Sequence, residues 1–174
     1  SGSSCRCAPR SGPTRSRPAV PEGRRVERKA VRSDPAVFGD VRAWIAGVAR
    51  DAGQDRAWAR RFALALHEAM TNVHRHSYAG RPDGRIDIRA EVRDDAIEVR
   101  VRDYGRPIGP EPYVPPDPER PSESGGYGIA LIRASVDDVR HAAVRHGTEI
   151  VLVKRREPSG TPVAASGLDR RACP

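Results

Sequence analysis

The chain has 174 residues, of which 37% are hydrophobic and 31% charged, enough for one domain with a real core. No apolar run approaches the length of a membrane span. The net charge of +8 sits mostly outside the middle: residues 1 to 25 carry six arginines and one glutamate, residues 157 to 174 are neutral, and only +3 remains for the rest. A nucleic-acid reading would therefore rest on the arm and not on a basic domain surface. With two Phe and no aromatic strand cluster, a base-stacking platform is not expected either. Cys5, Cys7 and Cys173 all lie in the tails, and residues 1–23 carry arginines without an apolar h-region, so they are not expected to be a signal peptide. The odd count argues for a reducing, cytoplasmic setting.

Taken in order, Ser1 to Gly23 is rich in Ser, Pro, Gly and Arg, and lacks the apolar surface to offset ordering. It reads as a disordered basic arm. Arg24 to Val31, with Val26 and Val31 among charges, reads as a short edge strand. Ser33 or Asp34 then caps a helix with Pro35 in its first turn, and Val37, Phe38, Val41, Trp44, Ile45 and Val48 form its buried stripe. Gly53 ends it, and Asp55 opens a second helix that runs to about Tyr78. Two alternating strands follow, with Ile86, Ile88, Ala90 and Val92 on one face of the first and Ile97, Val99 and Val101 in the second. Asp94-Asp95 between them makes an antiparallel hairpin with one wet face.

A proline-rich stretch to Ser124 comes next, holding seven of the 16 prolines and no periodicity, as expected of a lid or of disorder. It ends in Ser124-Gly125-Gly126-Tyr127-Gly128, which feeds a helix carrying Ile129, Leu131, Ile132 and Val136. Such a helix start suits phosphate. Asp137-Asp138 breaks this helix. Val139, Ala142 and Val144 mark a strand, His146-Gly147 a turn, and Ile150, Leu152 and Val153 a last strand before a polar tail.

The second helix carries the chemistry. Phe62, Leu66, Ala69, Met70 and Val73 give it an apolar face. Glu68 and Asn72, four apart, stack at the edge of that face, and Arg75 continues the line at i+3. That pair would either hold a divalent metal with its water or orient a nucleophile. His67-Glu68 begins a zinc-protease HExxH motif, but Thr71 stands where the second histidine is required. His74 and His76 read as surface or packing residues. Asp103 at a strand end would accept from the exocyclic amine of adenine, with Gly105 allowing a tight turn beside it. The Gly125–Gly128 loop would wrap phosphates, and Asn72 would hold Mg²⁺ against them.

In that order and context these segments resemble the GHKL (Bergerat-fold) ATPases, most closely the bacterial anti-sigma-factor serine/threonine kinases and regulatory ATP-binding proteins. Glu68-Ala69-Met70-Thr71-Asn72 with His76 and Tyr78 resembles the N-box; Asp103-Tyr104-Gly105 resembles the first glycine box; Gly126-Tyr127-Gly128-Ile129-Ala130-Leu131-Ile132 resembles the second; and Gly147-Thr148 resembles the GT before the last strand. The resemblance implies an α/β fold of the α+β two-layer type. Its sheet would be mixed and mostly antiparallel, with helices on one face and a mobile ATP lid, and a histidine-kinase-like ATPase domain would span 24–156 between a disordered arm (1–23) and tail (157–174). It implies Glu68 as general base, Asn72 as magnesium ligand, and ATP contacts from Asn72, Arg75, Asp103, Gly105, Gly125, Gly126, Tyr127, Gly128, Ile129 and Thr148. ATP and Mg²⁺ would be the cofactors. The implied partners are a sigma factor and a small antagonist protein phosphorylated on serine, with no direct nucleic acid or membrane contact, and a homodimer is compatible with the family.

Two departures stand out. Pro107 replaces the last glycine of the first box, and Arg120 is the only cation of the proline-rich lid. A non-catalytic ATP-dependent binding module is therefore the competing reading. A detached histidine-kinase catalytic domain ranks lower, because the residues before Phe62 have room for one helix and not for a phospho-accepting hairpin.

Overall fold

A computed structural model describes residues 24–107 and 127–157. Within them the order is β1 (Arg25–Arg32), α1 (Pro35–Asp51), α2 (Arg56–Asn72), a π-helical turn (Val73–Ser77), β2 (Arg85–Val92), β3 (Ala96–Asp103), α3 (Tyr127–Ser135), β4 (Asp138–Ala143) and β5 (Thr148–Arg155). The strands form one sheet in the order β1-β2-β3-β5-β4. Every pairing in it is antiparallel, so the expected mixed sheet is here wholly antiparallel. Gly125 and Gly126, the lid, the arm, most of the tail and the three cysteines lie outside the described residues.

Local chemistry explains the element boundaries. Asp34, and not Ser33, caps α1: its carboxylate accepts from the Ala36 N–H at 3.0 Å, and Pro35 follows at the first turn. Ser33 is buried instead and donates its backbone N–H to Gly84 O at 2.6 Å. Asp55 caps α2 by accepting from Trp58 N–H at 2.7 Å. The apolar rows of the two helices meet the apolar face of the sheet. Phe62, Leu66, Ala69, Met70 and Val73 are fully buried, as are Ile86, Val99, Val101 and Leu152. Each large side chain among them contributes roughly 2 kcal/mol of burial. Trp44 and Val37 are only partly buried at the rim. The Trp44 indole N–H donates to Glu27 at 3.0 Å, and the Lys29 ammonium lies 5.8 Å from the ring centroid.

The second helix does not reach Tyr78 as an α-helix. From Val73 to Ser77 the chain makes a π turn, with Tyr78 N–H donating to Val73 O at 3.2 Å. A one-residue expansion leaves the hydrophobic periodicity almost unchanged, which is why sequence spacing does not reveal it.

Candidate functional site

Two groups of residues meet around the end of α2. Glu68 and Asn72 are one turn apart and half-buried. The first turn of α3 crosses directly over them. A Cβ on Gly128 would stand 3.1 Å from Glu68 Oε2 and 3.5 Å from Asn72 Oδ1, so that position has little room for a side chain. The positive end of the α3 dipole thus faces a carboxylate and an amide.

Asp103 ends β3 and is fully buried. Its Oδ1 accepts from the Gly105 N–H at 3.0 Å, while Oδ2 has no hydrogen-bond partner. Burial pushes its carboxyl above the usual aspartate range, against the opposing pull of the Gly105 N–H, the Ser77 hydroxyl, the Thr148 N–H and the Arg102 charge. The Ser77 hydroxyl is close enough to favour the anion, but Ser77 Oγ itself completes no hydrogen bond. Gly147 turns at φ +99°, and a Cβ there would come within 2.7 Å of Asp103 Oδ1 and closer still to its carbonyl oxygen. Only glycine lets the Gly147-Thr148 turn press on Asp103 this closely. Thr148 is fully buried beside it.

The π turn joins the two groups. Arg106 N–H donates to Ser77 O at 2.9 Å, and Tyr104 N–H donates to the Tyr78 hydroxyl at 2.9 Å. The Tyr78 hydroxyl in turn donates to Arg85 O. The segment that begins five residues after Asn72 therefore holds the Asp103-Tyr104-Gly105 turn, and the π turn is the link between the Glu68–Asn72 group and Asp103. Tyr78 and Ser77 make that junction. The sequence marks Tyr78 only through the N-box resemblance and does not mark Ser77, because a buried serine in a turn carries no signal of its own. His141 was also missed. It pairs with Ile150 on β5, and burial lowers its pKa, partly offset by Asp103.

Among the other predicted positions, Gly105 supplies the N–H to Asp103, and Ile129 is half-buried in α3. Tyr127 begins α3. Arg75 is exposed on the π turn, where the wider spiral ends the straight line drawn from Glu68 through Asn72. His67 and His74 pack edge-on against Phe38, and His74 Nδ1 lies 2.7 Å from Ser33 O, as befits packing residues.

Volume alone does not pick out this site. A concavity of about 680 Å³ lies between the outer faces of α1 and α2, and one of about 420 Å³ lies on the open face of the sheet. Neither is lined by Glu68, Asn72 or Asp103. Among the described residues no group of three or more His, Cys, Asp or Glu is placed to hold a metal, so a cation here would depend on an amide or carboxylate plus ligand phosphates. No described helix is long and apolar enough to cross a membrane.

The donor set fits an adenine nucleotide: an orphaned, buried carboxylate oxygen calls for a donor such as an exocyclic amine, and a helix start over a carboxylate–amide pair suits a polyphosphate with its cation. Comparison with known proteins agrees. Residues 31–154 match the family model described as histidine kinase-like ATPase domain. The chain is 32% identical over 117 residues to the serine-protein kinase RsbW of Oceanobacillus iheyensis, covering 63% of this chain and 74% of that protein. It is 30% identical over 119 residues to the Bacillus subtilis RsbW, covering 63% and 73%. The solved structure of the RsbU and RsbW domains of Rv1364c from Mycobacterium tuberculosis superposes with a TM-score of 0.56 at 20% identity, covering 75% of this chain and 32% of that one. At that identity the likeness speaks for the fold. With its family model matched over residues 31–154, most of its length, the chain belongs to the histidine kinase-like ATPase domain family.

Proposed function

We propose that this chain is an ATP- and Mg²⁺-dependent serine-protein kinase of the anti-sigma type. It would phosphorylate a serine of a small antagonist protein and hold a sigma factor when that antagonist is absent. The observation that carries the reading is the seating of Gly128 over Glu68 and Asn72. The relatives named serine-protein kinases support the activity.

In this reading Asp103 Oδ2 accepts from the adenine amine, and the Gly147-Thr148 turn closes the base pocket. The α3 amides would face the phosphates, with Gly128 and Ile129 near them, and Gly125, Gly126 and Tyr127 are proposed as further ATP contacts. Arg75 would reach phosphate only from its exposed position on the π turn. Bound Mg²⁺, held through Asn72, would neutralise phosphate charge. Glu68 takes the proton of the incoming serine hydroxyl as its oxygen bonds to the γ-phosphorus and the bond to the ADP oxygen breaks.

Transfer of labelled γ-phosphate to a cognate antagonist tests this. Glu68→Gln should lower the transfer rate by about 10²- to 10⁴-fold while ATP affinity stays within about threefold. An unchanged rate would remove Glu68 from the chemistry. Pro107, which replaces a hinge glycine, favours a second reading, a non-catalytic ATP-dependent binding module. Tight ATP binding without transfer to any antagonist would select it.

A further inference from the structure

The face of the sheet turned away from the helices has an order of its own. Register places Arg28 beside Arg89, Arg89 beside Arg100, Arg100 beside Val151 and Val151 beside Arg140, so a single row crossing all five strands carries four arginines. Like charges directly opposite one another repel. The next row compensates: Glu91 pairs with Glu98, with Arg89 2.7 Å from Glu91 and Arg100 2.8 Å from Glu98. These carboxylates lie beneath the arginines. Their side chains are 2% and 4% exposed, against 29% for Arg89, 36% for Arg100 and 58% for Arg140. In this row the arginine side chains meet solvent, with Asp87 and Glu149 about as exposed as Arg89 and Arg100 nearby.

That row runs into a groove of about 420 Å³, in which Arg28, Arg85, Arg89, Arg100 and Arg102 stand against Asp87 and Glu149. Among the described residues Arg28 makes no ion pair. Tyr104, 46% exposed, lies beyond the groove with the Arg85 and Arg102 guanidinium carbons 5.8 and 5.1 Å from its ring centroid. Clustered arginine and tyrosine are the residue types that dominate interface energetics.

We propose that this open sheet face is a docking surface for an acidic polypeptide segment of a partner protein. Carboxylates on flexible stems can take the bidentate geometry that guanidinium offers. Basic residues outnumber acidic ones in this groove, so a second copy of the chain would set like net charge against like. A nucleic acid would find, among the described residues, a single exposed aromatic ring instead of a stacking platform. The surface stands apart from Glu68 and Asn72, so it does not depend on the kinase reading.

The test uses the full chain and a fluorescein-labelled peptide of alternating glutamate and glycine. Arg28 is the residue to change because it is exposed and on the edge strand β1. Arg28→Glu should raise the peptide Kd by about tenfold or more, and Arg28→Lys by no more than about threefold. Replacing Arg10, Arg15 and Arg17 of the arm together by serine should leave it within about twofold. Absence of saturable binding, an unchanged Kd for Arg28→Glu, or loss of binding in the arm variant would overturn the proposal. So would competition by a single-stranded oligonucleotide of equal charge, which would make this a nucleic-acid face. A concentration-dependent dimer dissociated by Arg28→Glu in sedimentation would overturn it in favour of a second copy.

Discussion

The two faces of the sheet treat buried carboxylates in opposite ways. On the helix-covered face, the row Ile88–Val101–Ile150 is followed by one in which Ile86 pairs with an acid, Asp103, whose Oδ2 is left unpaired. Burial holds that group toward its protonated form. On the open face Glu91 is as thoroughly covered, yet Arg24, Arg89 and Arg93 all bond or pair with it. Burial raises its pKa, but the Arg93 and Arg24 hydrogen bonds and charges outweigh burial and bring it to about 2. Its cover is one layer of arginine side chains with solvent beyond, so it is shielded from contact while keeping much of a surface dielectric. Glu98 is held similarly, with Oε1 in ion-pair rather than hydrogen-bond alignment to Arg100. A carboxylate supplied with partners by its own chain is structural, whereas a buried one left an empty acceptor is a candidate for a ligand.

Four substitutions sharpen this contrast, from the largest effect to the smallest. Leu66→Ala empties a fully buried site under the helix-covered face and should cost about 2–5 kcal/mol in chemical unfolding. A cost similar to that of open-face substitutions would dissolve the distinction between the faces. Asp103→Asn should lower ATP affinity by about tenfold, near 1.4 kcal/mol by calorimetry, without loss of folding stability. The sign follows from its raised pKa. Protonation favours the folded state, so the stability it gives is complete below the ordinary aspartate value and is lost as pH rises through the folded value. ATP binding needs the anion and should weaken on acidification sooner than an ordinary aspartate would predict, a shift that Asp103→Asn abolishes.

Glu91→Gln should do the reverse, costing about 1 kcal/mol of stability and leaving ATP affinity unchanged. Its pKa of about 2 means this stability is present above the ordinary glutamate value and is lost as pH falls toward 2. A change in ATP affinity in that variant would show that the two faces are coupled. Arg140→Ala, exposed at the edge of the arginine row, should change stability by less than about 0.5 kcal/mol in thermal melts.

Much of the fold was legible. Alternation in Ile86–Val92 and Ile97–Val101 gave the hairpin, and Asp34-Pro35 and Asp55 opened their helices where the caps form. The stack of Glu68 on Asn72 follows from helical spacing, and the glycine turns were visible as turns. The π turn was not legible, because one extra residue in a turn barely disturbs a hydrophobic stripe. Nor was the choice between Ser33 and Asp34 as cap, which depends on Gly84, just before β2, reaching Ser33. The arginine row was equally hidden: Arg28, Arg89, Arg100 and Arg140 are far apart along the chain, and only strand register aligns them.

Sequence by itself determined which segments become helix or strand and which residues carry acid, amide or glycine, because those depend on neighbours within a turn or two. Tertiary structure alone decided that Gly128 sits on Glu68, that Gly147 presses on Asp103 and that Asp103 keeps one oxygen unpaired. Those facts depend on contacts between residues scores of positions apart, where burial, close packing and register act on side chains that no local pattern relates.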